Sequence, residues 1–135
     1  MGIVAEFARY NVKLKNQFWA VSALTDTELV ASLWLDMLTT LPDGTWVYED
    51  RLSRWSGNGN KLFREHLDIA IAENRPVRIV VAKTDNPSLV AAGGDASKAK
   101  NTFNARPERV GRVESCDGDT FRIVFPAPER PVGAT

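Results

Sequence analysis

The sequence contains little of the chemistry on which many enzymes and metalloproteins depend. Its 135 residues include one cysteine, Cys116, and one histidine, His66. A lone cysteine excludes an internal disulfide and a cysteine-based zinc site, and no second histidine is present to complete a metal site. We therefore predict no cofactor and no metal site, and we favour a function other than catalysis. A magnesium site built from carboxylates alone stays open, but no spacing singles it out among Asp36, Asp43, Glu49, Asp50 and Glu65. The same cysteine usage is typical of a reducing, cytoplasmic setting.

Long apolar runs are also missing. No stretch approaches the ~20 residues that a membrane-spanning helix needs, so no membrane partner is predicted. Hydrophobic residues make up 44% of the chain and charged residues 25%, the balance of an ordinary globular protein. We predict one globular domain over residues 1–125, followed by an extended tail, PAPERPVGAT, over residues 126–135.

Net charge is absent overall, but the charges are unevenly distributed. Residues 1–50 hold 3 Lys/Arg against 7 Asp/Glu, whereas residues 51–112 hold 12 against 6. Residues 113–135 hold 2 against 4. Such segregation is compatible with an acidic partner that meets the central segment. It is equally compatible with a dipolar surface that binds nothing, and both alternatives stay open.

Alternating apolar residues predict strands in the first part of the chain. Residues 17–24, QFWAVSAL, alternate with one more apolar face. Residues 28–39 fit both helix and strand, but the strand alternation is the cleaner pattern, and we favour it. Pro42-Asp43-Gly44 indicates a turn, and the β-branched and aromatic residues of TWVYED, 45–50, predict a strand that pairs back as a hairpin.

Residues 60–73 carry the clearest helical period. Their apolar positions cover a broad face that includes Leu62, Phe63, His66 and Leu67. We expect the side chain of Asn58 or Asn60 to cap the start of this helix. The position of His66 on or beside the apolar face predicts a histidine at the edge of the core.

The second half of the chain is predicted to be mainly hairpins. Residues 77–82 form a buried strand, residues 85–95 form a loop, and residues 109–115 and 120–125 flank a CDGD turn. Hairpins outnumber helices in this order of elements. We therefore predict an α+β fold with a mostly antiparallel, strongly curved, half-open barrel-like sheet packed with one main helix at about 60–73.

The loop SGNGN, residues 56–60, opens that helix. A helix start exposes backbone N–H groups and the positive end of the helix dipole, which favour an anion. The loop lacks the GK[ST] ending of a phosphate-binding loop, so a plain turn explains it equally well. The side chain of Trp55, in the polar stretch before the loop, either stacks on a ligand or tucks beneath its own loop.

The favoured hypothesis is a non-enzymatic nucleic-acid-binding module that uses a basic loop and helix-start face. Lysines and arginines would position phosphates, helix-start amides would hold one of them, and an aromatic ring would stack on a base. The hypothesis requires cations from residues 51–64 and 98–112 to converge. The candidate residues are Arg51, Arg54, Trp55, Asn58, Asn60, Lys61, Arg64, Lys98, Lys100, Phe103, Asn104, Arg106 and Arg109.

Two alternatives use the four tryptophans. A small protein-binding inhibitor or adaptor would dock its partner through a Trp-rich, charge-split surface. A protein that sequesters a small molecule or nucleotide would instead have a deep pocket lined by Trp19, Trp34 or Trp46. Large aromatic side chains are usually core material, so we expect two or three of the tryptophans to be buried.

Overall fold

Seven strands in a single sheet form the centre of the fold. A computed structural model describes residues 2–16, 19–94 and 100–128. The strands follow the order β1-β2-β5-β6-β7-β4-β3 across the sheet. They are β1 (Ser22–Leu24), β2 (Leu29–Trp34), β3 (Leu38–Thr40), β4 (Trp46–Arg51), β5 (Val77–Thr84), β6 (Asn101–Cys116) and β7 (Thr120–Phe125). The α-helices of the described residues are α1 (Ile3–Ala8), α2 (Asn58–Ala72) and α3 (Pro87–Ala91).

The sheet is mixed. Strands β2 and β5 run parallel, and the other five neighbouring pairs are antiparallel. A parallel pair needs a long crossover, which here contains β3, β4 and α2. The α+β class and the one main helix are thus confirmed. The predicted barrel-like curvature is only partly matched, because the sheet is neither closed nor strongly curled.

Helix α2 covers one face of the sheet. Its residues Phe63, Leu67 and Ala70 follow the helical period and are almost fully buried. They join a core that contains Ile79 of β5 and Phe121 of β7. Burial of a large apolar side chain such as Phe63 or Leu67 contributes about 1.5–3 kcal/mol to stability. These contacts hold α2 against both halves of the sheet.

Helix α1, which was not predicted, lies on the opposite face. Phe7 and Tyr10 pack with Val80 in a second, smaller core. The Tyr10 hydroxyl donates a hydrogen bond to the carbonyl of Ile79 at 2.7 Å, and the backbone N–H of Ala105 donates to Glu6 at 2.8 Å. These polar contacts fix α1 across β5 and β6.

The predicted strands and turns in the first half of the chain are largely confirmed. The stretch 28–39 is strand β2, followed by a 3-10 turn at Leu35–Met37 and by β3. Strands β3 and β4 form the expected hairpin around the Pro-Asp-Gly turn. The predicted strand 17–24 is wrong in its length, since β1 begins only at Ser22, and residues 17 and 18 lie outside the described residues.

Three predictions in the second half need correction. The loop predicted over 85–95 contains α3, which the side chain of Asn86 caps. Strand β6 starts at Asn101 and is much longer than the predicted 109–115. Helix α2 begins with Gly57 at the N-cap and no side-chain cap, so the capping roles predicted for Asn58 and Asn60 are wrong. The predicted tail is described only to residue 128, where it has no regular structure.

Candidate ligand-binding pocket

A cavity of about 640 Å³ lies at the end of β2, beside the start of α2. Ligand pockets usually measure about 300–1,000 Å³ and lie preferentially where parallel strands end. Here β2 and β5 are the parallel pair, and the loop from Ser56 to Gly59 forms one wall. The aromatic residues that line the cavity are Trp19, Trp34, Tyr48, Trp55, Phe63, Phe103 and Phe121.

Three of the four tryptophans, Trp34, Trp46 and Trp55, pack against the main core. The expectation that two or three tryptophans belong to the core is therefore met in part, because all four keep some of their surface exposed. Trp55 tucks against Phe63, with ring centroids 6.3 Å apart, and Phe63 meets Phe121 edge to face at 5.3 Å. Three tryptophans therefore offer part of their ring surface to one cavity.

A buried ion pair forms the polar wall of the cavity. Arg54 donates from Nε and Nη2 to the two carboxylate oxygens of Asp50, at 2.8 and 2.7 Å. The exposed fractions of the two side chains are 15% and 6%. Arg54 was predicted as part of a basic contact face, but the short segment after β4 turns its side chain inward to Asp50. The arrangement places a fixed, charge-neutral pair beside the aromatic rings.

The ion pair affects the pKa values of Tyr48 and of Arg54 itself. Burial raises the pKa of Tyr48 well above its usual range, and the nearby charge of Asp50 adds to the effect. Burial alone would lower the pKa of Arg54, but hydrogen bonds and charge from Asp50 outweigh it, so this pKa is raised. Tyr48 therefore stays protonated and Arg54 stays charged at neutral pH.

Glycines allow the chain segments around the cavity to approach closely. A Cβ on Gly59 would overlap the carbonyl oxygen of Trp19, and one on Gly93 would overlap that of Arg54. Gly93 also has a φ of +77°, a conformation that side-chain-bearing residues rarely adopt. At these two glycines, the backbone segments that form the cavity wall therefore contact each other directly.

We expect Gly93→Ala to reduce the free energy of unfolding by about 2–4 kcal/mol, since overpacking and positive-φ strain add. Gly118 is the matched control, because its φ is +99° and a Cβ there would meet nothing within 4 Å. Gly118→Ala should therefore show only the strain, about 1–2 kcal/mol. Urea unfolding of both variants measures the difference. Equal losses would contradict the close approach at Arg54.

Some of the candidate residues predicted from the sequence come together at this cavity. Of those in the described part of the chain, Arg54, Trp55, Asn58 and Phe103 line it. Asn104 follows Phe103 on β6 and therefore points to the opposite face of the sheet. Lys98 lies outside the described residues.

The remaining basic candidates have other surroundings. Arg51 pairs with Asp119 at 3.2 Å, and Arg64 donates to the buried Asn60 at 2.7 Å. Arg109 stacks on the ring of Trp46 at 4.0 Å and donates to the carbonyl of Gly44, so it belongs to the β3–β4 hairpin. The side chains of Lys61, Lys100 and Arg106 are exposed. Sequence reasoning did not identify Asp50 as the partner of Arg54, although the spacing of four residues between them was visible.

His66 lies on the side of α2 that faces β1, and it does not line this cavity. Its Nδ1 is 2.8 Å from the hydroxyl of the fully buried Ser22, which connects α2 to β1. Burial lowers the pKa of His66; the charge of Glu65 opposes this shift and that of Lys15 adds to it. The predicted core-edge position is consistent with these contacts.

This lowered pKa predicts a pH-dependent stability. The folded protein prefers the neutral imidazole, so the stabilisation is complete above about pH 6.5 and is lost as the pH falls from there through the folded pKa. Urea unfolding above and below that pH should show a larger loss for the wild type than for His66→Gln. Equal losses in the two proteins would contradict the role given to His66.

The described residues contain no group of three or more His, Cys, Asp and Glu side chains placed to hold a metal ion. No helix within those residues is long and apolar enough to cross a membrane. No protein-family model matches the chain, and neither the curated proteins nor the solved structures include a significant match to it.

Proposed function

We propose that this chain is a non-enzymatic binding module whose Trp-lined cavity takes a nucleobase, from a free nucleotide or from a single-stranded nucleic acid. The observation that carries the proposal is the combination of Trp19, Trp34 and Trp55 with the Asp50–Arg54 pair in one cavity. Bases have planar faces that stack on aromatic side chains and polar edges that form hydrogen bonds.

The charge of the cavity favours a nucleobase over a cation, the other class of ligand that aromatic pockets bind. Aromatic cages also hold quaternary ammonium groups through cation–π attraction. Here the carboxylate of Asp50 is already neutralised by Arg54, whose N–H groups repel a cation. A neutral ring with hydrogen-bond acceptors fits this cavity better than a cationic ligand does.

Position in the fold supports the proposal independently. Open sheets bind ligands at the carboxyl ends of parallel strands, next to a helix start. Trp34 is the last residue of β2, and Asn58 is the first of α2. Both line the cavity.

This site differs from the basic surface that the sequence suggested. Nucleic acid remains a proposed partner, but recognition would use a half-open cavity and only part of the candidate set. Exposed cations such as Lys61 and Lys100 would add phosphate contacts only if the ligand is a longer strand. The salt dependence of binding therefore separates the two ligand sources.

The test is a titration of the protein with mononucleotides and with single-stranded oligonucleotides at two salt concentrations. Saturable mononucleotide binding that depends little on salt indicates a free nucleotide as the ligand. Tighter oligonucleotide binding that weakens steeply with salt indicates a strand. If neither binds, the proposal fails, and a docked protein partner becomes the better explanation of the Trp-rich surface.

Tryptophan variants locate the binding site. Trp55→Ala should weaken binding by about 5- to 100-fold, the usual effect of removing one stacking partner. Trp46→Ala is the control, because Trp46 is half-buried like Trp55 but stacks on Arg109 instead of lining the cavity. Equal losses in the two variants would place the ligand elsewhere.

A further inference from the structure

The Asp50 carboxylate is already saturated by contacts within the protein. Its Oδ1 accepts from Arg54 Nε and from the backbone N–H of Arg51, at 2.8 and 2.7 Å. Its Oδ2 accepts from Arg54 Nη2 at 2.7 Å and has the Tyr48 hydroxyl at 3.5 Å. A carboxylate has about four lone-pair sites, so Asp50 offers little to a ligand. Its role at the site is to hold Arg54.

Arg54 retains donors. A guanidinium carries five N–H groups. The contacts found among the described residues use three of them, two on Asp50 and one, from Nη1, on the carbonyl of Val90. One N–H on each terminal nitrogen is left in a side chain that lines the cavity. These two N–H groups are the donors that Arg54 has left for a ligand.

We infer that Arg54 makes the proposed nucleobase site selective for guanine over adenine, by donating to the O6 and N7 acceptors of a 6-oxopurine. The inference rests on the proposed function. Guanine presents two adjacent acceptors on this edge, whereas adenine presents an acceptor beside an amino donor. That amino group would oppose the donors of Arg54 and leave one of them without a partner.

The aromatic walls of the cavity do not supply this discrimination. Aromatic faces such as those of Trp19 and Trp55 stack on every base, so they add affinity without a strong base preference. The guanidinium is fixed by Asp50 and the Val90 carbonyl before a ligand arrives, so little conformational freedom is lost on binding. The preference for guanine is therefore expected to be on the order of tenfold or more.

A ligand series tests the inference without altering the protein. Tryptophan fluorescence and calorimetry would measure the Kd of GMP, IMP, 7-deaza-GMP and AMP. IMP keeps O6 and N7 but lacks the 2-amino group, so it should bind about as well as GMP. Loss of N7 in 7-deaza-GMP should weaken binding, and AMP should bind weakest. Binding of none of the four would overturn this inference, whereas the proposed function fails only if single-stranded oligonucleotides do not bind either.

Comparable affinities for GMP and AMP, or tighter binding of AMP, would leave the pocket as a nucleotide site and overturn the role of Arg54. Arg54→Lys keeps the charge but loses the paired donors, so the GMP-to-AMP preference should fall towards one. Arg51→Lys is the control, because Arg51 forms an exposed pair with Asp119. Near-UV circular dichroism of both variants establishes that the fold is retained.

Discussion

Replacement of Asp50 by alanine is expected to lower the free energy of unfolding by about 3–5 kcal/mol. The change leaves the guanidinium of Arg54 in a buried position with the carbonyl of Val90 but without its counter-charge. Desolvation of an unpaired charge is much more costly than the loss of one contact between exposed groups. Chemical unfolding of the purified variant measures the effect.

The neighbouring residue supplies the matched control. Glu49 also has an arginine partner, Arg122, but both side chains are exposed and their charged atoms lie 3.9 Å apart. Glu49→Ala should therefore change stability by less than about 1 kcal/mol. The double variant Asp50→Asn with Arg54→Gln removes both charges and should be more stable than Asp50→Ala alone. An Asp50→Ala effect as small as that of Glu49→Ala would contradict a buried pair.

Phe63→Ala is expected to be comparably severe, with a loss of about 3–5 kcal/mol. Phe63 is 2% exposed and lies between Trp55 and Phe121, so its removal leaves a void at the junction of core and cavity. Trp55 then loses its support and becomes more exposed to solvent. Unfolding experiments and a red shift of tryptophan emission test the two consequences together.

Ile71 is the control on the same helix. Its side chain is 46% exposed, so Ile71→Ala should change stability by no more than about 0.5 kcal/mol. Nucleotide binding should be weakened by Phe63→Ala and unaffected by Ile71→Ala. A small stability change in Phe63→Ala would mean that the aromatic contacts between α2 and β7 contribute little to the fold.

Local patterns predicted the elements that depend mainly on neighbouring residues. The alternation over 28–39 identified β2, and the apolar period over 60–73 identified most of α2. The Pro-Asp-Gly turn specified the hairpin of β3 and β4. In each case the pattern lies within the segment itself, as a period or a turn sequence, so it is informative without knowledge of what the segment packs against.

Long-range pairing left no such trace. Strands β2 and β5 are separated by more than forty residues, and nothing in either strand specifies that they run parallel. Helix α1 is six residues long and depends on contacts with β5 and β6, so its own period is too short to detect. The class of the fold could be predicted, but the order of strands could not.

The candidate site was predictable only in fragments. Trp19 and Trp34 were named for a possible pocket, and Arg54 and Trp55 for a basic face, but no pattern indicated that the four would share one cavity. The inward turn of Arg54 depends on Asp50, whose burial is a property of the assembled sheet. The polar residues around Arg54 did not indicate that it forms a buried ion pair with Asp50.

The position of the β6–β7 hairpin affects how the protein can fold while it is being synthesised. Strands β6 and β7 follow the other described strands along the chain, yet they lie in the middle of the sheet between β5 and β4. Chains leave the ribosome from the N-terminus, so β4 and β5 emerge before the strands that pair with them. Unpaired strand edges attract other chains, which makes this interval the period of greatest aggregation risk. The ribosome must therefore translate beyond Phe125 before β6 and β7 can pair with the exposed edges of β5 and β4.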